Sequence, residues 1–108
     1  MLDLRPQDLA LVLRLAALTL PTSVEIWAYG SRVNGNAYDG SDLDLVLRAA
    51  DLRELPPAIL TRFRAALTES NLPIFVDVHD WARLPESFHE RILTRYEVLR
   101  PAQVAVTV

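Results

Sequence analysis

Apolar residues recur along this chain with two different periods, and the changes of period mark its elements. Over residues 6–20, Leu9, Val12, Leu13, Ala16 and Leu20 fall at helical spacing. Pro6 suits a first helical position and Pro21 ends the pattern. The period then drops to two over residues 24–29: Val24, Ile26 and Ala28 face one way, Glu25, Trp27 and Tyr29 the other. Gly30 breaks this strand, and Gly35 and Gly40 punctuate a polar loop, so all three glycines of the protein lie in one eleven-residue stretch. A second strand is predicted over residues 42–48. A second long helix enters at Pro56-Pro57, carries the stripe Leu60, Phe63, Leu67 and closes at Asn71 and Pro73. Residues 74–79 read as a third strand, and Pro85 opens a last helix striped by Phe88, Ile92 and Tyr96.

The order helix, strand, helical turn, strand, helix, strand, helix predicts an α/β domain with a small mixed β-sheet and helices packed on it. At 108 residues the expectation is one domain over 1–108. Residues 101–108, PAQVAVTV, are β-prone but short; they read as a late strand, a partner-docking segment or a flexible tail. So short a chain has little left for a second substrate domain, so a second substrate is expected on another protein. The net charge of -3 argues against a surface that coats nucleic acid, and no direct nucleic-acid partner is expected. All eleven basic residues are arginine, each able to grip a phosphate through two parallel hydrogen bonds. There is no cysteine, which excludes disulfides and thiolate chemistry, and with His79 and His89 as its two histidines a zinc site is not expected. MLDLRPQD lacks the basic-then-apolar order of a signal peptide, and no apolar run approaches the ~20 residues of a membrane span. The expected compartment is the cytoplasm, with no membrane partner.

Candidate chemistry concentrates in GSRVNGNAYDGSDLDL, residues 30–45. Gly30-Ser31 leaves a strand and enters a helical turn. Glycine there lets backbone approach a ligand, the following N–H groups point outward, and the serine hydroxyl adds a donor. Such a corner suits a triphosphate, although a Gly-Ser pair after a strand is by itself most often only a turn. Asp42 and Asp44, two apart on a strand, project their carboxylates from one face while Leu43 and Leu45 point to the core. Like charges that close repel unless a cation lies between them, and hard oxygen donors suit Mg²⁺, or Mn²⁺ in its place. Asp77 sits in the apolar strand Ile74-Phe75-Val76-Asp77-Val78, where a charge needs a partner or a function. If its strand lies beside the second, Asp77 completes a cluster of three acids.

With these residues in view, the chain resembles the polymerase-β-like nucleotidyltransferase superfamily. Within it, the resemblance is to the minimal nucleotidyltransferases of prokaryotic HEPN/MNT toxin–antitoxin pairs. It runs from the leading helix through GSRVNG, SDLDL and PIFVDVHDW to the last helix. The resemblance implies that Gly30 and Ser31 hold the triphosphate of ATP, that Asp42 and Asp44 bind both metals, and that Asp77 ligates the catalytic one. Arg32 is counted with the nucleotide-binding residues as a candidate phosphate clamp. Asn34 stands where many relatives carry arginine. The resemblance further implies an antitoxin that transfers AMP from ATP to a tyrosine of a HEPN-domain toxin. Two other readings stay open: a catalytically silent antitoxin that binds its toxin, and a transferase for a small molecule or RNA.

The remaining polar and aromatic residues have plainer expectations. His79 shares the strand face of Asp77 and reads as structural, as does Trp81 packing at the base of the third strand. Arg91, Arg95 and Arg100 trail along the last helix as a solvated face or as a patch for an acidic partner.

Overall fold

The computed structural model describes residues 2–103. Helix α1 (Pro6–Thr19) leads to strand β1 (Glu25–Tyr29), the one-turn helix α2 (Ser31–Asn34) and strand β2 (Leu43–Arg48). Helix α3 (Pro57–Glu69) crosses to strand β3 (Val76–Asp80); a 3₁₀ turn (Trp81–Arg83), helix α4 (Glu86–Thr94) and strand β4 (Glu97–Arg100) follow. The four strands form one mixed sheet in the order β3-β2-β1-β4. β1 runs antiparallel to both β2 and β4, while β2 and β3 are parallel. A parallel pair needs a crossover, and α3 supplies it.

The period-two reading of the strands decides what each face does. Ile26, Ala28, Leu43, Leu45, Leu47, Val76 and Val78 all turn to one side, where they meet Val12 and Ala16 of α1 and Leu60, Phe63 and Leu67 of α3 in a buried core. Asp80 belongs to the same side. It is 3% exposed, and its carboxylate accepts from the backbone N–H of Leu55 (2.8 Å) and Ala82 (3.3 Å) and from Arg83, which satisfies its buried charge. The opposite side carries Trp27, Val46, Trp81 and Ile92 as a smaller cluster. Trp27 meets Trp81 edge to face at 5.6 Å, and the Arg48 guanidinium lies 4.1 Å and 4.6 Å from their ring centres. This cluster fills only one end of the second face. The other end is left to polar residues.

The end of the chain departs from the expected pattern. Tyr96 sits at helical spacing from Ile92, yet α4 ends at Thr94, and Tyr96 instead stacks flat on Trp27 at 4.1 Å. Residues 97–100 pair with β1 as an edge strand, where the β-sheet satisfies their backbone groups and Tyr96 gains the Trp27 ring. Beyond it, the Gln103 N–H donates to Thr22 O at 2.9 Å. The rest of the expected tail, residues 104–108, lies outside the described residues. No helix among the described residues is long and apolar enough to cross a membrane.

Candidate active site

Three strand ends meet at the polar end of the second face. In the register of the sheet, Tyr29 of β1 stands opposite Asp44 of β2, and Asp44 opposite Asp77 of β3. All three side chains share a face by strand alternation, so they form a row across the sheet. Asp42 stands just before β2, exposed, on the same side as Asp44. The acids feel one another: burial, then Asp77, then Asp42 push the Asp44 carboxyl above its usual range, and His79 pulls it the other way. Burial first, and then Asp44 and Asp77, hold the Tyr29 phenol far above its ordinary value, so Tyr29 stays a neutral hydrogen-bonding wall. Asp77 shares a hydrogen bond with His79 Nε2 at 3.1 Å across two residues of β3. Phe88 of α4 closes this side, 5.9 Å from the Tyr29 ring and 6.1 Å from that of His79.

Gly30 follows the row at the end of β1, and its lack of a side chain has a specific cause. Its backbone lies at φ +78° and ψ −155°, a region that residues with a Cβ scarcely enter. A Cβ there would also lie 2.3 Å from Asp44 Oδ2. The glycine therefore makes room for the Asp44 carboxylate itself, in addition to opening the corner. Ser31 begins α2 beside it. Ser31, Asn36, Tyr38, Gly40, Asp42 and Asp44 line one open hollow, so the Gly-Ser corner and the Asp-x-Asp pair share one site despite their separation in the chain.

Arg32 departs from the expected phosphate clamp. It is 6% exposed, and its donors go to backbone carbonyls: Nε to Ser41 (2.9 Å), Nη1 to Asp3 (2.8 Å), Nη2 to Asp39 (3.0 Å) and Tyr38 (3.5 Å). The Asp3 N–H donates back to Arg32 O. A guanidinium buried among carbonyls cannot turn to a phosphate without leaving those carbonyls unpaired. Its work is structural: it ties the loop that carries Asp42 to α2 and to the segment before α1. Arg100, expected on the solvated helix, is likewise turned inward onto Val24 O and Pro21 O.

In donor chemistry the row suits a hard divalent cation, since, beyond burial, Asp77 and Asp42 raise the proton affinity of Asp44, and a cation beside them relieves that repulsion. Among the described residues, however, no three His, Cys, Asp or Glu side chains already stand together as a metal-binding group. Sequence reasoning missed Tyr29 and Phe88 as walls of this site. Tyr29 is legible as a position on the face of its strand opposite Ile26 and Ala28; Phe88 shows only as part of the last helix's apolar stripe, and nothing in its spacing marks it as a wall of the site.

Comparison with known proteins gives this arrangement a family. No protein-family model matches the chain. The Haemophilus influenzae protein named "Probable protein adenylyltransferase MntA" is 38% identical over 107 residues, covering 97% of this chain and 90% of that protein. Among solved structures, a toxin–antitoxin with AMP-PNP superposes with a TM-score of 0.71 at 22% identity, covering 88% of this chain and 74% of the other. The MntA-HepT toxin–antitoxin superposes with a TM-score of 0.59 at 17% identity, over 90% and 73%. At such identities the two structures bear on the fold, which they share with this chain. The sequence relationship goes further: this chain belongs to the MntA family of protein adenylyltransferases, the minimal nucleotidyltransferases.

Proposed function

We propose that this protein transfers AMP from ATP to a tyrosine hydroxyl of a partner HEPN toxin and so acts as its antitoxin. The observation that carries the reading is the row of Asp44 and Asp77 with Asp42 at its edge, set against the Gly30-Ser31 corner. The names of the relatives support it from outside: one is a protein adenylyltransferase, and the solved structures are toxin–antitoxin complexes, one with AMP-PNP.

In this reading Asp42, Asp44 and Asp77 are the residues that would hold Mg²⁺, or Mn²⁺. The ion would neutralise phosphate charge and polarise the α-phosphate, taking the rest of its coordination from phosphate and water. The chain's own residues do the positioning. Gly30 leaves space at the row, and the Ser31 hydroxyl with the N–H groups of Ser31 and Arg32, which precede those of Val33 and Asn34 that donate to Gly30 O, take phosphate oxygens. Phe88 and Tyr29 shield one side from water. The acceptor oxygen forms a bond to the α-phosphorus and the bridge to the β-phosphate breaks. Pyrophosphate leaves with the bonding electrons, and the hydroxyl proton is released to water. ATP is made and kept in the cytoplasm, which is where such a transferase acts.

The test is direct. Incubating the protein with its toxin, ATP and Mg²⁺ should raise the toxin's mass by one or more AMP units, and Asp42→Asn should prevent it. If the toxin is neutralised with no change of mass, and the Asp42→Asn protein neutralises it equally well, the protein acts by binding alone.

A further inference from the structure

A second hollow, distinct in its lining from the Ser31–Asp42 one, lies between the end of β1, α2 and the end of α4. Tyr29 and Phe88 line it with their rings, and Gly30, Asn34, Arg91 of α4 and Arg95 just beyond α4 line the rest. The guanidinium of Arg91 lies 5.4 Å from the Phe88 ring centre. Arg95 Nη1 donates to Asn34 O at 3.3 Å, which holds this charge at the far end of α2 while its other N–H groups have no partner among the described residues. Neither arginine has a carboxylate partner among the described residues, and both are exposed. Two guanidinium groups lining one hollow without a carboxylate make it positive, and an anion in it is attracted by both.

We propose that Arg91 and Arg95 bind the β- and γ-phosphates of the nucleotide, and the pyrophosphate after transfer. The inference rests on the nucleotidyl-transfer reading above and adds to it where the triphosphate tail lies. A divalent ion held by Asp42, Asp44 and Asp77 would offset part of the charge of a triphosphate brought beside them, and the charge left on its β- and γ-phosphates calls for cations on another side. Arg32 cannot serve, being committed to carbonyls. Arg48 is held between Trp27 and Trp81, away from the row. Arg91 and Arg95 flank the glycine corner, and the planar fork of arginine matches phosphate oxygens. A phosphate tail running from the Asp row past Gly30 toward Asn34 meets both.

Arg91→Gln, Arg95→Gln and the double variant test the assignment; both side chains are exposed, and far-UV circular dichroism checks that the fold persists. Titrating ATP, ADP and AMP with Mg²⁺ by calorimetry, each single variant should weaken ATP on the order of tenfold and the double variant more, with AMP unchanged. Inorganic pyrophosphate should displace ATP from the wild type and fail to do so from the double variant, and Arg91→Lys with Arg95→Lys should recover part of the affinity. If the wild type binds ATP and the double variant binds it equally well, the two arginines are solvated and the proposal falls while the transferase reading stands. Equal weakening of ATP and AMP would place the nucleoside there instead, which also overturns it. A wild type that binds no ATP·Mg²⁺ at all removes the transferase reading and this proposal together.

Discussion

Replacing Gly30 by alanine separates two effects that the structure superimposes at that residue. The first is backbone strain: φ +78° with ψ −155° lies where only glycine is at ease, and a Cβ there costs about 1–3 kcal/mol. The second is the meeting of that Cβ with Asp44 Oδ2 at 2.3 Å. The carboxylate is the end of a side chain, so it gives way by rotating off its preferred angle, for roughly 0.5–1.5 kcal/mol. Together they predict a loss of about 2–4 kcal/mol, a melting temperature lower by roughly 10–20 °C in a domain of this size. A double-mutant cycle with Asp44→Ala isolates the second effect, because truncating Asp44 removes the atom that collides. Gly30→Ala should cost about 1 kcal/mol less in that background. Gly35→Ala is the control: φ is +87° there, but the added Cβ meets nothing, so only a dihedral penalty of about 1 kcal/mol is expected. Urea denaturation of the variants gives the free energies, and ATP·Mg²⁺ calorimetry on Gly30→Ala should show binding lost beyond what unfolding explains. Additive effects of Gly30→Ala and Asp44→Ala, with nucleotide binding intact, would refute the claim that this glycine exists to seat Asp44.

Three further outcomes follow from named contacts. Arg32→Lys should lose about 2–4 kcal/mol and raise the rate of proteolysis within residues 35–42, since one ammonium cannot serve carbonyls of Asp3, Asp39 and Ser41 together; a thermal melt like that of the wild type would sink this role. Asp42→Asn should leave the metal-free protein as stable or up to about 1 kcal/mol more stable, because it removes a charge that presses on Asp44, while abolishing the thermal shift that ATP·Mg²⁺ gives the wild type. Asp80→Ala should cost about 2–4 kcal/mol without touching nucleotide affinity, as it strands the buried Leu55 N–H on the face opposite the Asp row, while Arg83 keeps Glu54; an equal loss of ATP binding would contradict that separation.

What could be read from the sequence alone rested on short-range rules. Alternation in residues 24–29 and 42–48 assigned Ile26, Ala28, Leu43 and Leu45 to the core, and all four are buried there, because a strand's side-chain period does not depend on what it packs against. The stripe Leu60, Phe63, Leu67 placed the crossover helix for the same local reason. The Gly-Ser corner and the Asp-x-Asp pair were visible as motifs, since each is a few residues of one segment. What needed the tertiary structure is whatever depends on partners distant in the chain. The parallel register of β2 and β3 sets Asp77 opposite Asp44, a pairing that the sequence left conditional. Arg32 turned inward because carbonyls of residues 3, 39 and 41 converge on it, which no local spacing could reveal. Trp27 drew Tyr96 out of its helical stripe, and β1 drew residues 97–100 into the sheet, where tertiary partners outweigh a local period. Gly30 looked like a corner that admits a ligand; only the folded chain brings the Asp44 carboxylate over it, because β1 and β2 must lie antiparallel before those two residues can meet.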